Sequence, residues 1–122
     1  MAGKIVHFEL PAADADRGSD FWNGLFGWGF GPSAMEGFDY RMVDLGDGVG
    51  GALFPSDKPG TGPIVYFDTE DIEASIARVR ELGGSADEKA PVPGHGWFAA
   101  CRDTEGNAFS LWQGDESAAP PA

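Results

Sequence analysis

An α+β fold of two tandem βαβββ modules, forming a curved mixed sheet around a groove, is predicted by three features of the sequence. Element order repeats between the halves, each half carries one amphipathic helix among its strands, and the chain closes on a β-hairpin. At an offset of 56, Phe26-Gly27 falls on Leu82-Gly83, Asp14-Ala15-Asp16 on Glu70-Asp71-Ile72, and His7 on Pro63. Residue identity across this offset is low, but element order is shared. Each mixed sheet must bury one face under its helix and leaves the other free.

Taken in order, Lys4 to Leu10 alternates as a strand, with Val6, Phe8 and Leu10 on one face and Ile5, His7 and Glu9 on the other. Asp14 or Asp16 caps a helix whose apolar residues Phe21, Trp22, Leu25 and Phe26 recur at spacings of three and four, and Gly27 stops it. Gly27-Trp28-Gly29-Phe30-Gly31 follows a helix instead of leading from a strand into one, which argues against a dinucleotide-binding loop. Phe38 to Leu45 and Val49 to Phe54 are strands joined by Gly46-Asp47-Gly48, whose Asp-Gly step favours a hairpin.

Residues 57–62 form a linker between module 1, about residues 4–56, and module 2, about 63–114. Ile64 to Phe67 is a strand. Asp71 to Leu82 is a helix with Ile72, Ile76, Val79 and Leu82 on one stripe, acids at its start, Arg78 and Arg80 near its end, and Gly83-Gly84 to stop it. A weak strand near Ser85 to Glu88, a loop from Ala90 to Gly96, and a hairpin of Trp97 to Arg102 and Ala108 to Trp112 complete the module. In that hairpin Gly106 and Asn107 are expected to supply positive φ. Residues 1–116 are read as one domain, and the acidic, Ala/Pro-rich stretch Asp115 to Ala122 as a loose tail.

Composition narrows the function. The chain has 122 residues, 42% of them hydrophobic and 23% charged, enough for one packed domain. Twenty acidic against eight basic side chains give a net charge of −12, which repels a phosphate backbone, so nucleic acid is not an expected partner. No apolar run approaches the roughly 18 residues of a membrane span, and no basic-then-apolar leader is visible, so no membrane partner and a cytoplasmic home are expected. The single cysteine, Cys101, excludes an internal disulfide framework and reads as a small buried hydrophobe.

Strand-borne His7, then Asp14, Phe21-Trp22 and Leu25-Phe26-Gly27-Trp28, together with the closing hairpin around Asp103-x-x-Gly106-Asn107, resemble the vicinal oxygen chelate superfamily. That superfamily includes glyoxalase I, extradiol dioxygenases and bleomycin-resistance proteins, and the likeness covers nearly the whole chain. In its metal-dependent members four side chains from the concave faces of two sheets bind one divalent ion. Carried over residue by residue, the first position matches as His7, the strand Val49 to Phe54 contains no carboxylate for the second, Pro63 stands at the third, and Ser110 replaces the Glu of the last strand. One imidazole and one neutral hydroxyl compete poorly with water for a divalent ion, which needs three or four N, S or carboxylate donors. No metal and no cofactor are therefore expected.

Strand parity then suggests the groove lining. If His7 faces inward, so do Ile5 and Glu9; on module 2, Val65 and Phe67; on the last strand, Ala108, Ser110 and Trp112. Trp97, Phe98, Tyr40 and Trp28 are candidate aromatic walls. His7, Phe67, Trp97, Ser110 and Trp112 are the ligand-binding candidates, and His7 and Glu9 the candidates for acid–base work. A hydrogen-bonded strand histidine and a solvated carboxylate are the alternatives for that pair. His95, between Gly94 and Gly96, belongs to a loop that could close over a pocket or be an exposed loop histidine. Asp68 to Glu73 lacks the EF-hand spacing and is explained by helix capping. The leading expectation is a metal-free small-molecule-binding protein, a homodimer by the resemblance, sequestering an antibiotic or metabolite. A glyoxalase- or dioxygenase-like enzyme with a degenerate metal site, and a protein-interaction module, are the alternatives.

Overall fold

The computed structural model describes residues 2–33 and 35–121. Eight strands and two helices are formed among them, in two compact units: Val6–Ile64, and Met1–Ile5 with Val65–Ala122. The α+β class is as predicted.

In the unit Val6–Ile64, strand β1 (Ile5–Ala12) is followed by helix α1 (Ala15–Phe26), β2 (Arg41–Asp44) and β3 (Gly50–Pro55). Strand β3 is central, parallel to β1 and antiparallel to β2. The Asp14 carboxylate accepts from Arg17 N at 3.0 Å and caps α1, and Gly27, at φ 66°, closes it in the left-handed region. Ala15, Phe30, Val43 and Leu53 are buried between helix and sheet, with Phe8, Leu10, Ala12, Trp22 and Trp28 packed around them. Backbone approach is tight here: a Cβ on Gly51 would collide with the Phe8 ring, so only glycine lets that ring lie flat against β3. Arg41 ties β2 to the helix by reaching Asp16 at 2.8 Å and Ser19 at 3.2 Å.

The second strand begins at Arg41, not at Phe38 as expected, because Ser33 claims the backbone ahead of it. Ser33 Oγ donates to Phe38 O at 2.6 Å and accepts from Tyr40 N at 2.8 Å, groups a ladder would otherwise use. Two strands follow α1 among the described residues, in the places read from Phe38 to Leu45 and Val49 to Phe54, where a full βαβββ module would carry three.

The other unit contains β4 (Ile64–Asp68), α2 (Ile72–Glu81), β5 (Ser85–Ala86), β6 (Ala90–Val92), β7 (Gly96–Arg102) and β8 (Ala108–Gly114). Strand β8 lies parallel to β4 and antiparallel to β7, and β7 carries β5 and β6 on its other side. Asp71 caps α2 through Ala74 N at 3.1 Å, while Gln113 Oε1 accepts from Ile72 N at 2.8 Å, so β8 itself satisfies a helix-end donor. Ile72, Ile76, Ala99, Cys101 and Leu111 form the core, and Val79, Ala86, Trp97 and Phe109 surround it. Cys101 is thus the buried hydrophobe expected of it.

Three local expectations are corrected in this unit. Ala90–Val92 is a strand rather than loop, because it pairs with Gly96–Phe98 of β7 across a turn closed by His95 N on Val92 O at 2.9 Å. Asn107 does not adopt positive φ; Gly106 alone does so in that hairpin, at 84°, and Asn107 instead donates through N and Nδ2 to the Asp103 carboxylate. The expected loose tail is docked at its start: Asp115 accepts from Trp97 Nε1 at 3.0 Å, Gly94 N donates to Ala118 O at 3.0 Å, and Ala118 is buried.

Candidate functional site

Along β1 the side chains of Phe8, Leu10 and Ala12 go to the helix side, which leaves His7, Glu9 and Pro11 on the opposite face. Ladder register sets His7 beside Gly50 and Glu9 beside Ala52, both small residues of β3. Tyr40 arrives from the segment that Ser33 holds off the ladder. Its hydroxyl donates to Glu9 Oε2 at 2.7 Å and lies 2.8 Å from His7 Nε2. A continuous His7–Tyr40–Glu9 chain results, joining residues 31 and 33 positions apart in sequence.

Aromatic rings frame this chain. The Tyr40 ring is stacked with Phe38 at 6.0 Å and Phe54 at 6.2 Å between centroids, and shares a near-parallel arrangement with His7. Burial holds His7 below its ordinary value of 6.5, opposed in part by the Glu9 charge, which favours the imidazolium. Hence the ring is neutral at neutral pH. His7 and Glu9, the two acid–base candidates, are brought together as strand parity expected. What sequence reasoning missed is their connector: Tyr40 was legible only as a possible aromatic wall, because no local spacing ties it to β1.

In the other unit, Ser110 and Trp112 share the face of β8 away from α2, since Leu111 and Phe109 pack on the helix side. Their register partners on that face are Tyr66 and Asp68 of β4 and Ala100 and Phe98 of β7. Three expected placements, those of Phe67, Trp97 and Trp28, are corrected. Phe67 stands in register with Leu111 and meets Phe109 edge-on at 5.9 Å, on the helix side. The register places Tyr66 opposite Ser110, one residue from the position that the 56-residue offset implies, and a one-residue slip exchanges the faces of a strand. Trp97 pairs with Gln113 and packs against the helix-side core, while Lys89 Nζ sits 4.2 Å from its ring centroid. Trp28 is likewise helix-side, stacked on Trp22 at 5.3 Å. His95 is exposed, and its backbone is tied on both sides, by N to Val92 O and by its carbonyl to Asp115 N at 2.9 Å.

The donor set does not fit a divalent ion of the kind the superfamily's metalloenzymes hold. Of the four carried-over positions, His7 has Nε2 committed to Tyr40, the free face of β3 presents Gly50, Ala52 and Phe54, and the remaining two are Pro63 and Ser110. Among the described residues no group of three His, Cys, Asp or Glu side chains is placed to share an ion.

The glyoxalase-like domain family model matches residues 6–112, and the chain belongs to that family. A glyoxylase-like domain-containing protein of Didymella fabae is 28% identical over 121 residues, covering 91% of this chain and 94% of the relative. The anthracycline biosynthesis protein DnrV of Streptomyces peucetius is also 28% identical, over 134 residues and 91% of this chain, but the match spans only 47% of DnrV, about half its length. Among solved structures, methylmalonyl-CoA epimerase from Mycobacterium tuberculosis superposes with a TM-score of 0.69 at 15% identity, covering 93% of this chain and 88% of the epimerase. That likeness is one of fold. The expected resemblance to the vicinal oxygen chelate superfamily is thereby established.

Proposed function

We propose that this domain binds a small organic molecule without a metal ion, and that the binding centre is the helix-free face of β1 and β3 around His7, Tyr40 and Glu9. One observation carries the reading: a bonded polar chain, partly buried and framed by the Phe38 and Phe54 rings, on a face where β3 offers only small or apolar side chains. A few convergent polar groups within an apolar, aromatic surround is the usual make-up of a small-molecule site. Metal independence rests on donor chemistry, since an imidazole already hydrogen-bonded to a phenol and a lone carboxylate fall short of a dication's usual ligands. DnrV, named for anthracycline biosynthesis, supports a planar organic ligand as the first class to test. The face around Ser110 and Trp112 is a second candidate contact surface in the same reading.

We further propose a cytoplasmic homodimer. No helix among the described residues is long and apolar enough to cross a membrane. Self-association is supported by Phe21, Leu25 and Phe26, which are 61%, 56% and 56% exposed on α1.

Thermal-shift screening of chelator-treated protein against planar polycyclic compounds and small metabolites tests the function. A ligand at a hundred times its dissociation constant adds about 2.7 kcal/mol of stability. The expected result is stabilisation in chelator, lost in Tyr40→Ala. Stabilisation that appears only after a divalent ion is restored contradicts it.

A further inference from the structure

We propose that the hollow between the first turns of α1 and the linker after β3 is a second binding site, distinct from the His7 face. Its occupant is a small organic carboxylate with a flat apolar body, held at its anionic end by Arg17. The hollow lies on the helix side of β1, where Ala12 packs, while His7 and Glu9 stand on the opposite face.

Local packing makes the hollow. Gly18 lets α1 sit close to the sheet, since a Cβ there would come within 3.1 Å of Leu53 and 3.2 Å of Ala12. Ala12 and Ala13 add little bulk beside it, whereas Phe21 and Trp22, three and four residues along the helix and so on the same face, supply aromatic walls. Their rings meet edge-on at 5.3 Å, and Trp22 is fixed by near-parallel stacking on Trp28 at 5.3 Å. Pro59 completes the lining, and its linker is held by Ser56 N on Ala12 O and by Thr61 Oγ1 on Lys58 O, at 2.8 Å each. The space measures about 430 Å³, within the range small ligands fill, and its walls are set before any ligand arrives.

Charge decides the occupant. Arg41, Arg78, Arg80 and Lys89 are ion-paired with acids, and Arg102 donates to Gly106 O. The guanidinium of Arg17, on the wall of the hollow, makes no hydrogen bond or ion pair among the described residues, and neither does the ammonium of Lys58, next to Pro59 in the chain. Asp14 also lines the hollow, but its carboxylate is engaged in the helix cap by Arg17 N at 3.0 Å; that bond holds its pKa low, with the Arg17 charge a smaller influence. Asp16 is taken by Arg41. A guanidinium presents five N–H donors in a planar fork that matches a carboxylate, whereas a cationic ligand would meet Arg17 with like charge.

Titrations with naphthoate and its neutral amide, naphthamide, followed by amide chemical shifts, test the proposal. Shifts should centre on Ala12, Gly18 and Trp22 rather than on His7. Naphthoate should bind about fivefold more tightly than naphthamide at low salt, the upper worth of an exposed ion pair. That ratio should fall toward one in about 1 M salt and in Arg17→Gln, which leaves the backbone cap intact. Ala13→Leu, at an exposed position, fills the hollow and should weaken both compounds. Equal binding of acid and amide, or a ratio unmoved by Arg17→Gln, overturns the assignment of the anion. Shifts centred elsewhere, or no binding of either compound, overturn the site. Binding here should survive Tyr40→Ala, and ligands of the His7 face should survive Ala13→Leu, so failure of one site is told apart from failure of the other.

Discussion

His7 shows how a single strand position acquires chemistry from its surroundings. Its neighbours Phe8 and Leu10 belong to the core and hold β1 in place, so the imidazole is partly buried whether or not it serves a ligand. That burial depresses its pKa, outweighing the attraction of Glu9. The unfolded chain, with ordinary histidine, consequently takes up a proton at higher pH than the folded one. Below about pH 6.5 the folded state is progressively disfavoured by this group, and its contribution to stability falls as pH falls through the window between the ordinary and the depressed value. Urea unfolding of wild type and His7→Gln at about pH 7 and pH 5 should show the smaller loss of stability in the variant. An identical loss in both would mean that His7 titrates normally. Tyr40 belongs to the same scale but was far less visible in sequence, since its two bonds to β1 span the whole of α1 and the following loop.

Elements were legible where their signals are local. Asp14 or Asp16 and Gly27 mark the ends of α1 in the sequence, and acids from Glu70 to Glu73 the start of α2, by chemistry that acts within four residues; in the structure Asp14, Gly27 and Asp71 are the caps. Replacing Asp71 with Ala should cost about 1 kcal/mol, seen as a lower denaturation midpoint, with Asp71→Ser restoring most of it. Strand boundaries and faces depend on pairing with distant chain and were read less well. Ser33 displaced the start of β2, the ladder with β8 decided that Tyr66 rather than Phe67 shares a face with Ser110, and pairing with β7 converted Ala90–Val92 from loop to strand. Gly51 illustrates the packing demand that β-propensity conceals. Gly51→Ala should destabilise by about 1–3 kcal/mol, the range for overpacking a filled core, whereas a free Cβ there would leave the midpoint of unfolding unchanged.

At the scale of the whole chain, there are two compact units, Val6–Ile64 and the remainder, and the first residues join the C-terminal unit. Gly3 N and Lys4 O bond to Asp68 at 2.8 Å each, a pairing that no hydropathy pattern signals. The docking of Ala118 was equally hidden, because alanine and proline after an acidic run carry no periodic signal. Truncation after Gly114 removes the Asp115 bond to Trp97 and the Ala118 bond to Gly94. It should lower stability by about 1–2 kcal/mol in chemical denaturation; no change would show that the terminal contacts are immaterial.

The account as a whole turns on an organic ligand meeting the His7–Tyr40–Glu9 face without help from an ion. Amide chemical-shift mapping with an uncharged planar ligand, in the presence of a strong chelator, tests this most directly. The predicted result is a saturable set of shifts concentrated at His7, Glu9, Tyr40, Gly50 and Phe54. Shifts centred elsewhere in the chain, or binding that returns only when a divalent ion is added, would contradict it.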